Sequence, residues 1–153
     1  MTKPPAWPRL LGFLGLLPQL AAALMVLSHD PTMVYPGLSL AFAYAALIFS
    51  FLGGCWWGLA AAAGRAAPGP YLVGVAPSLI ALAAALPWML GWTWPQPSLV
   101  LLGLAIALSP LVDRALVHGR IAPAWWMALR LPLSLGLGAL TLLMGLVRLP
   151  AVA

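Results

Sequence analysis

Five long runs of apolar residues, separated by short polar connections, dominate the pattern of the chain. Each run is long enough for the roughly 20 residues with which a helix crosses a hydrocarbon core about 30 Å thick. Backbone groups in lipid must pair within a helix or a closed barrel, and the short alternating segments of a barrel are absent. The pattern predicts an all-α integral membrane protein, a bundle of five transmembrane helices near residues 10–27, 38–63, 71–90, 98–117 and 124–147.

The connections between these runs are short and rich in Pro and Gly, as in "GRAAPGP" and "GWTWPQP". No polar linker is long enough to separate two folding units, so residues 1–153 are predicted to form one transmembrane domain. The first run is longer than the roughly 7–15 apolar residues of a signal peptide, and no small-residue cleavage site follows it. The first helix is therefore expected to be retained.

Composition supports a bilayer environment and narrows the class of partner. Hydrophobic residues make up 64% of the chain and charged residues 6%, with a mean hydropathy of +1.06. Soluble domains carry about 25% charged residues. The net charge is +5, but the cations lie in the short connections between apolar runs. That distribution is a topology signal and predicts no nucleic-acid binding, so the expected partner is the lipid bilayer.

The distribution of Lys and Arg predicts the orientation in the membrane. Arg130 is not counted because it lies inside the fifth predicted helix. Of the other cations, only Arg148 falls on the side of the membrane opposite the N-terminus. Cytoplasmic connections carry an excess of cations, so the N-terminus is predicted to be inside and the C-terminus outside. The cations on the N-terminal side are Lys3, Arg9, Arg65, Arg114 and Arg120.

This topology excludes most side-chain catalysis. His29 and His118 fall at opposite membrane surfaces, and so do Asp30 and Asp113. Neither a shared metal nor a pair of carboxylates for acid–base chemistry is then available, and the chain has no Glu. A CxxCH motif for haem attachment is also absent. The protein is predicted not to be an enzyme and not to bind a metal.

The stretch "SFLGGCWWG", residues 50–58, is unusually rich in small and aromatic residues for an apolar helix. Gly54 and Gly58 form a GxxxG pair, a smooth strip that another helix can approach closely. Ser50, Gly53 and Trp57 lie on a neighbouring stripe of the same helix. Trp57 lies roughly 10 Å from the helix end at 1.5 Å per residue, deeper than an interfacial tryptophan. These residues predict a hollow for either a packed helix or a flat apolar ligand.

An ion pair is predicted between Asp113, near the end of the fourth helix, and Arg130, about two turns into the fifth. The connection between these helices is short, so they should be antiparallel neighbours with the two charges at similar depth. Ionisable residues inside a membrane usually pair. Arg114 is the alternative partner for Asp113. The pair is either a structural link or a polar anchor at the mouth of an inward-facing pocket, with Trp125 as an interfacial tryptophan nearby.

Four segments carry a resemblance to a known family: "SFLGGCWWG", "APSL" at 76–79, "LVDRALVHGRIAPAWW" at 111–126 and "LRLPL" at 129–133. In these the chain resembles the transmembrane protein 69-like family (domain-of-unknown-function 3429), small inner-membrane proteins of bacteria and mitochondria. The resemblance implies a multi-pass protein of the cell inner (cytoplasmic) membrane and supplies no activity. One departure is Trp56, where many relatives carry His or Arg. The matching positions include these candidate site residues: Ser50, Gly53, Gly54, Trp57, Gly58, Asp113, Trp125 and Arg130.

Two functions remain open at this point. In the first, a non-enzymatic subunit binds another integral membrane protein, or a second copy of itself, through its glycine-lined face. In the second, a pocket lined by Trp and Gly in the inner half of the membrane binds a flat apolar cofactor or lipid, such as a quinone. A small transporter or channel is less favoured, because the outer halves of the helices offer few polar residues.

Overall fold

The computed structural model describes residues 3–28 and 30–147, and within them the chain is helical without any strand. Within these described residues, five helical stretches are long and apolar enough to cross a membrane: Ala6–Leu27, Pro31–Ala62, Gly69–Met89, Gln96–His118 and Trp126–Leu146. The predicted class, an all-α multi-pass membrane protein with five spanning helices, is confirmed. The helices are α1 (Ala6–Leu14), α2 (Leu17–Leu27), α3 (Pro31–Ala62), α4 (Gly69–Met89), α5 (Gln96–Leu108), α6 (Pro110–His118) and α7 (Trp126–Leu146).

The first and fourth spans are each broken into two helices at a proline. Pro18 lies at the start of α2, and Pro110 lies at the start of α6. Proline lacks a backbone N–H and its ring clashes with the preceding turn, so a helix bends or restarts there. In contrast, Pro77, Pro87 and Pro132 remain inside continuous helices.

The second span begins at Pro31, several residues before the predicted start at residue 38. Asp30 makes this possible by capping the helix. Its carboxylate accepts hydrogen bonds from the Thr32 hydroxyl at 2.7 Å and the Thr32 backbone N–H at 2.9 Å. Those bonds lower the pKa of Asp30. Proline at the first helical position needs no hydrogen-bond acceptor, so "DPT" is a helix start within what the sequence pattern indicates is a loop.

Glycines bring the helix pairs into close contact. α5 and α7 pack antiparallel, and a Cβ added at Gly138 would lie 2.9 Å from the backbone N of Ala107. The same seam continues at Gly145, where an added Cβ would lie 2.9 Å from the N of Val100. Between α3 and α4, a Cβ at Gly53 would collide with the carbonyl oxygen of Gly74. Close backbone approach of this kind holds membrane helices together where lipid removes the hydrophobic drive between them.

The connections that carry Arg65 and Arg120 lie at the same end of the bundle. There the Arg65 guanidinium donates a hydrogen bond to the carbonyl of Gly119. Two of the connections whose cations predict the orientation therefore lie together in the structure. Which side of the membrane they face stays a prediction. His29 and Arg148, which entered the topology argument, lie outside the described residues.

Candidate functional site

A carboxylate from one helix accepts hydrogen bonds from two others. Asp113 on α6 has no exposed surface. Its Oδ1 accepts from the indole Nε1 of Trp56 at 2.8 Å and from that of Trp126 at 2.6 Å. Its Oδ2 accepts from Nε of Arg130 at 3.1 Å. A buried charge is tolerated only when it is paired and hydrogen-bonded, and these three donors meet both conditions.

Local structure places each member of this polar cluster. Asp113 lies in the first turn of α6, where the positive end of the helix dipole favours a carboxylate. A short connection turns the chain back into α7, so the start of α7 lies beside α6. Trp126 and Arg130 are four residues apart on α7 and therefore share one face of that helix. The predicted ion pair is present, and Arg114, its predicted rival, is exposed.

Two serines extend the cluster on the far side of Arg130. Nη2 of Arg130 donates to Oγ of Ser134 at 2.9 Å and lies 3.4 Å from Oγ of Ser109. The two hydroxyl oxygens are 3.1 Å apart, and Ser109 donates to the carbonyl of Ile106. Ser109 occupies the junction of α5 and α6, so the proline break places a polar side chain in the cluster.

A cavity of about 430 Å³ adjoins the cluster and is lined by α1, the junction between α1 and α2, α3, α5 and α7. Arg130 and Ser134 line its polar end, and Cys55 of α3 also contributes. Most of the wall is apolar, and it includes Leu11, Phe49, Leu52, Leu129, Leu133 and Leu137. α1 closes one side without burying any residue of its own. The cavity is therefore apolar over most of its wall, with hydrogen-bonding groups at one end.

The stretch "SFLGGCWWG" splits into two faces, and α4 occupies the one formed by Ser50, Gly53 and Trp57, as in the packed-helix interpretation. Gly53 packs against α4, whereas a Cβ at Gly54 or Gly58 would meet no atom of the described residues within 4 Å. Trp57 is 46% exposed, and its ring contacts that of Tyr71 edge-on, with the ring centroids 4.9 Å apart. Ser50 bonds to Ser78 of α4 at 2.8 Å. Successive residues of a helix point about 100° apart, so these side chains do not converge on Asp113.

Of the predicted candidates, the structure brings together Asp113, Arg130 and Trp125. The Trp125 ring lines the cavity, 5.9 Å from that of Trp126. Sequence reasoning missed Trp56 and Trp126 as partners of the carboxylate. The spacing held a signal for the second, since Trp126 and Ser134 each lie one helical turn from Arg130.

A family model matches residues 4–146, almost the whole chain and every member of the polar cluster. The chain belongs to the family described as "Protein of unknown function (DUF3429)". The resemblance to the domain-of-unknown-function 3429 family is thus confirmed. Comparison with curated proteins and with solved structures finds no match. The family description names no activity, so a function can be inferred only from the geometry of the polar cluster and the cavity.

Proposed function

We propose that this protein is a non-enzymatic, multi-pass protein of the inner membrane that holds an apolar molecule in the cavity beside Arg130. The molecule is a lipid or a flat compound such as a quinone. The observation that carries the proposal is a cavity of about 430 Å³ with apolar walls and a single polar end. Sites for small molecules are typically about 300–1,000 Å³, mostly apolar, with a few placed polar groups.

The surroundings of Asp113 support a binding role rather than catalysis. Its two oxygens already accept three hydrogen bonds, and its side chain is fully buried. A general base must lie within hydrogen-bond reach of the substrate proton, and Asp113 is not among the described residues that line the cavity. With the N-terminus inside, as the cation distribution predicts, the cluster and the polar end of the cavity lie in the inner half of the membrane.

Native mass spectrometry of the protein, released from its own membrane in mild detergent, tests this function. We expect an added mass of a few hundred daltons on the wild type. Cys55 lines the cavity, so Cys55→Phe should fill part of it and remove the adduct, whereas Cys55→Ala should keep it. Leu133→Trp is a second filling variant on the opposite wall. A wild-type spectrum without adduct would contradict the proposal.

A second candidate function is association with another membrane protein or a second copy through Gly54 and Gly58. The observation that favours it is the open space beside both residues, on the outer face of α3. In this case native mass spectrometry and cross-linking in the membrane should find a protein-sized partner. Gly54→Leu or Gly58→Leu should break that association, while Ala83→Leu, at an exposed position of α4, should leave it intact. Detection of monomer alone would count against this function.

A further inference from the structure

The guanidinium of Arg130 has donors left over after its bonds within the protein. Nε bonds to Asp113, and Nη2 bonds to Ser134 and lies near Ser109. Nη1 donates no hydrogen bond to any of the described residues, 3–28 and 30–147. The side chain is 13% exposed and lines the cavity. Since guanidinium carries five N–H donors in a fixed fork, the two N–H groups of Nη1 are the donors available to a molecule in the cavity.

The other polar groups at this end offer few acceptors. Ser109 gives its hydrogen to the carbonyl of Ile106. Ser134 accepts from Arg130, and its own hydrogen can reach Oγ of Ser109 at 3.1 Å. The indole N–H of Trp126 is already bound to Asp113. A ligand hydroxyl or amine placed here would find, among the described residues, a second lone pair of Ser134 or the weak sulfur acceptor of Cys55 for its hydrogen, and a poorly paired hydrogen is costly in an apolar site. The polar end therefore favours a group that only accepts.

Charge narrows the ligand further. Arg130 and Asp113 neutralise each other at 3.1 Å, and the other described residues of the cavity wall carry no charged side chain. An anionic head group would bring one uncompensated charge into a medium of low dielectric constant. A neutral oxygen acceptor avoids that penalty while it satisfies Nη1. Carbonyl oxygens of ketones, quinones and esters have this property.

We infer that the cavity binds a neutral amphiphile through a carbonyl oxygen, which accepts hydrogen bonds from Nη1 of Arg130. The apolar body of the ligand lies along Leu52, Leu133 and Leu137. This inference rests on the proposed binding function and adds the chemical class of the ligand. Two membrane components share this chemistry, the ring carbonyl of a quinone and the ester carbonyl of a glycerolipid.

Matched probes test the inference on the purified full-length protein in mild detergent, with binding measured by native mass spectrometry. Methyl oleate has a neutral ester carbonyl, oleate has a charged head, and 1-octadecene has no acceptor. A hydrogen bond to a charged donor corresponds to about a tenfold difference in affinity or more. We expect the wild type to bind methyl oleate at least tenfold more tightly than either of the other two probes.

Arg130→Lys separates hydrogen bonding to the ligand from a structural role. Lysine keeps the positive charge beside Asp113 but loses the planar fork that presents Nη1. Arg130→Lys should weaken the binding of methyl oleate about tenfold and leave the binding of 1-octadecene unchanged. An equal loss for both probes would show that Arg130 only maintains the cavity, and the inference would be overturned. The wild-type comparison of the three probes needs no variant, so it still decides if Arg130→Lys does not fold.

Decylubiquinone identifies the source of the carbonyl. Tighter binding than methyl oleate points to a quinone, and weaker binding points to a lipid ester; both support the inference. Equal binding of oleate and methyl oleate by the wild type would overturn it, although the cavity would remain a binding site. If the wild type binds none of the four probes and carries no endogenous adduct, the proposed function itself fails.

Discussion

Trp56 and Trp57 are neighbours in the sequence and lie in opposite environments. Trp56 is 3% exposed, and its indole N–H is bound to Asp113. Trp57 is 46% exposed on the outer surface. The adjacent glycines divide in the same way: Gly53 is pressed against α4, and Gly54 faces open space. One residue step, about 100° around α3, thus separates a buried indole that reaches the polar cluster from a half-exposed one that lies beside α4.

The polar cluster on the inward side gives the largest expected effect. Arg130→Ala would leave Asp113 buried without its counter-charge, and breaking one partner of a buried ion pair costs about 3–5 kcal/mol. We expect that loss in the free energy of unfolding, measured by SDS titration in mixed micelles. Arg114→Ala removes a neighbouring exposed cation, and its effect should stay within about 0.5 kcal/mol. Equal effects of the two variants would show that the Asp113–Arg130 pair does not stabilise the bundle.

Replacing each tryptophan by phenylalanine tests the comparison directly. Trp56→Phe keeps a large ring but leaves Oδ1 of Asp113 with one donor fewer. Hydrogen bonds to charged groups contribute about 1.5–3 kcal/mol, and we expect a loss of that size in the same titration. Trp57→Phe should change the free energy of unfolding little, because no hydrogen bond of its indole is recorded among the described residues. A larger effect at Trp57 would reverse the assignment of the two faces.

The adjacent glycines provide a smaller and purely steric test. Gly53→Ala places a methyl group against the backbone of Gly74, so α3 and α4 must move apart. Overpacking of this kind typically costs about 1–3 kcal/mol. Gly54→Ala adds the same methyl group where nothing lies within 4 Å, and no loss of stability is expected. If both variants unfold at the wild-type SDS concentration, the α3–α4 contact is looser than the structure shows.

The sequence was sufficient for the number of spans and for the ion pair, and the reasons are physical. A helix of about 20 apolar residues has few alternatives in lipid, and a charge inside such a helix needs a partner. The orientation of α3 about its own axis could not be predicted in the same way. Lipid and protein interior are both apolar, so hydrophobicity does not distinguish the Trp56 face from the Trp57 face. The contacts of α3 with its neighbouring helices decide it, such as Gly53 against α4 and Trp56 against Asp113 of α6.

The early start of α3 and the cavity also escaped the sequence pattern. The Asp30–Thr32 cap converts part of a polar connection into helix, a local effect that hydrophobicity does not register. The cavity forms where α1, which ends before the break at Pro18, packs against α7. That arrangement depends on the packing of several helices at once. For that reason the glycines at the cavity wall are Gly12 and Gly15 of the first span, not those of "SFLGGCWWG".

Ser50 lies at the border between the two faces of α3 and should give the smallest effect. Its hydroxyl lies 2.8 Å from that of Ser78 on α4, and the pair is only partly shielded. Hydrogen bonds between membrane helices contribute about 0.6 kcal/mol on average. Ser50→Ala and Ser78→Ala should each lower the free energy of unfolding by about that amount, and the double variant by no more than either one. Additive losses would mean that the two serines act separately and that no hydrogen bond between them stabilises the α3–α4 contact.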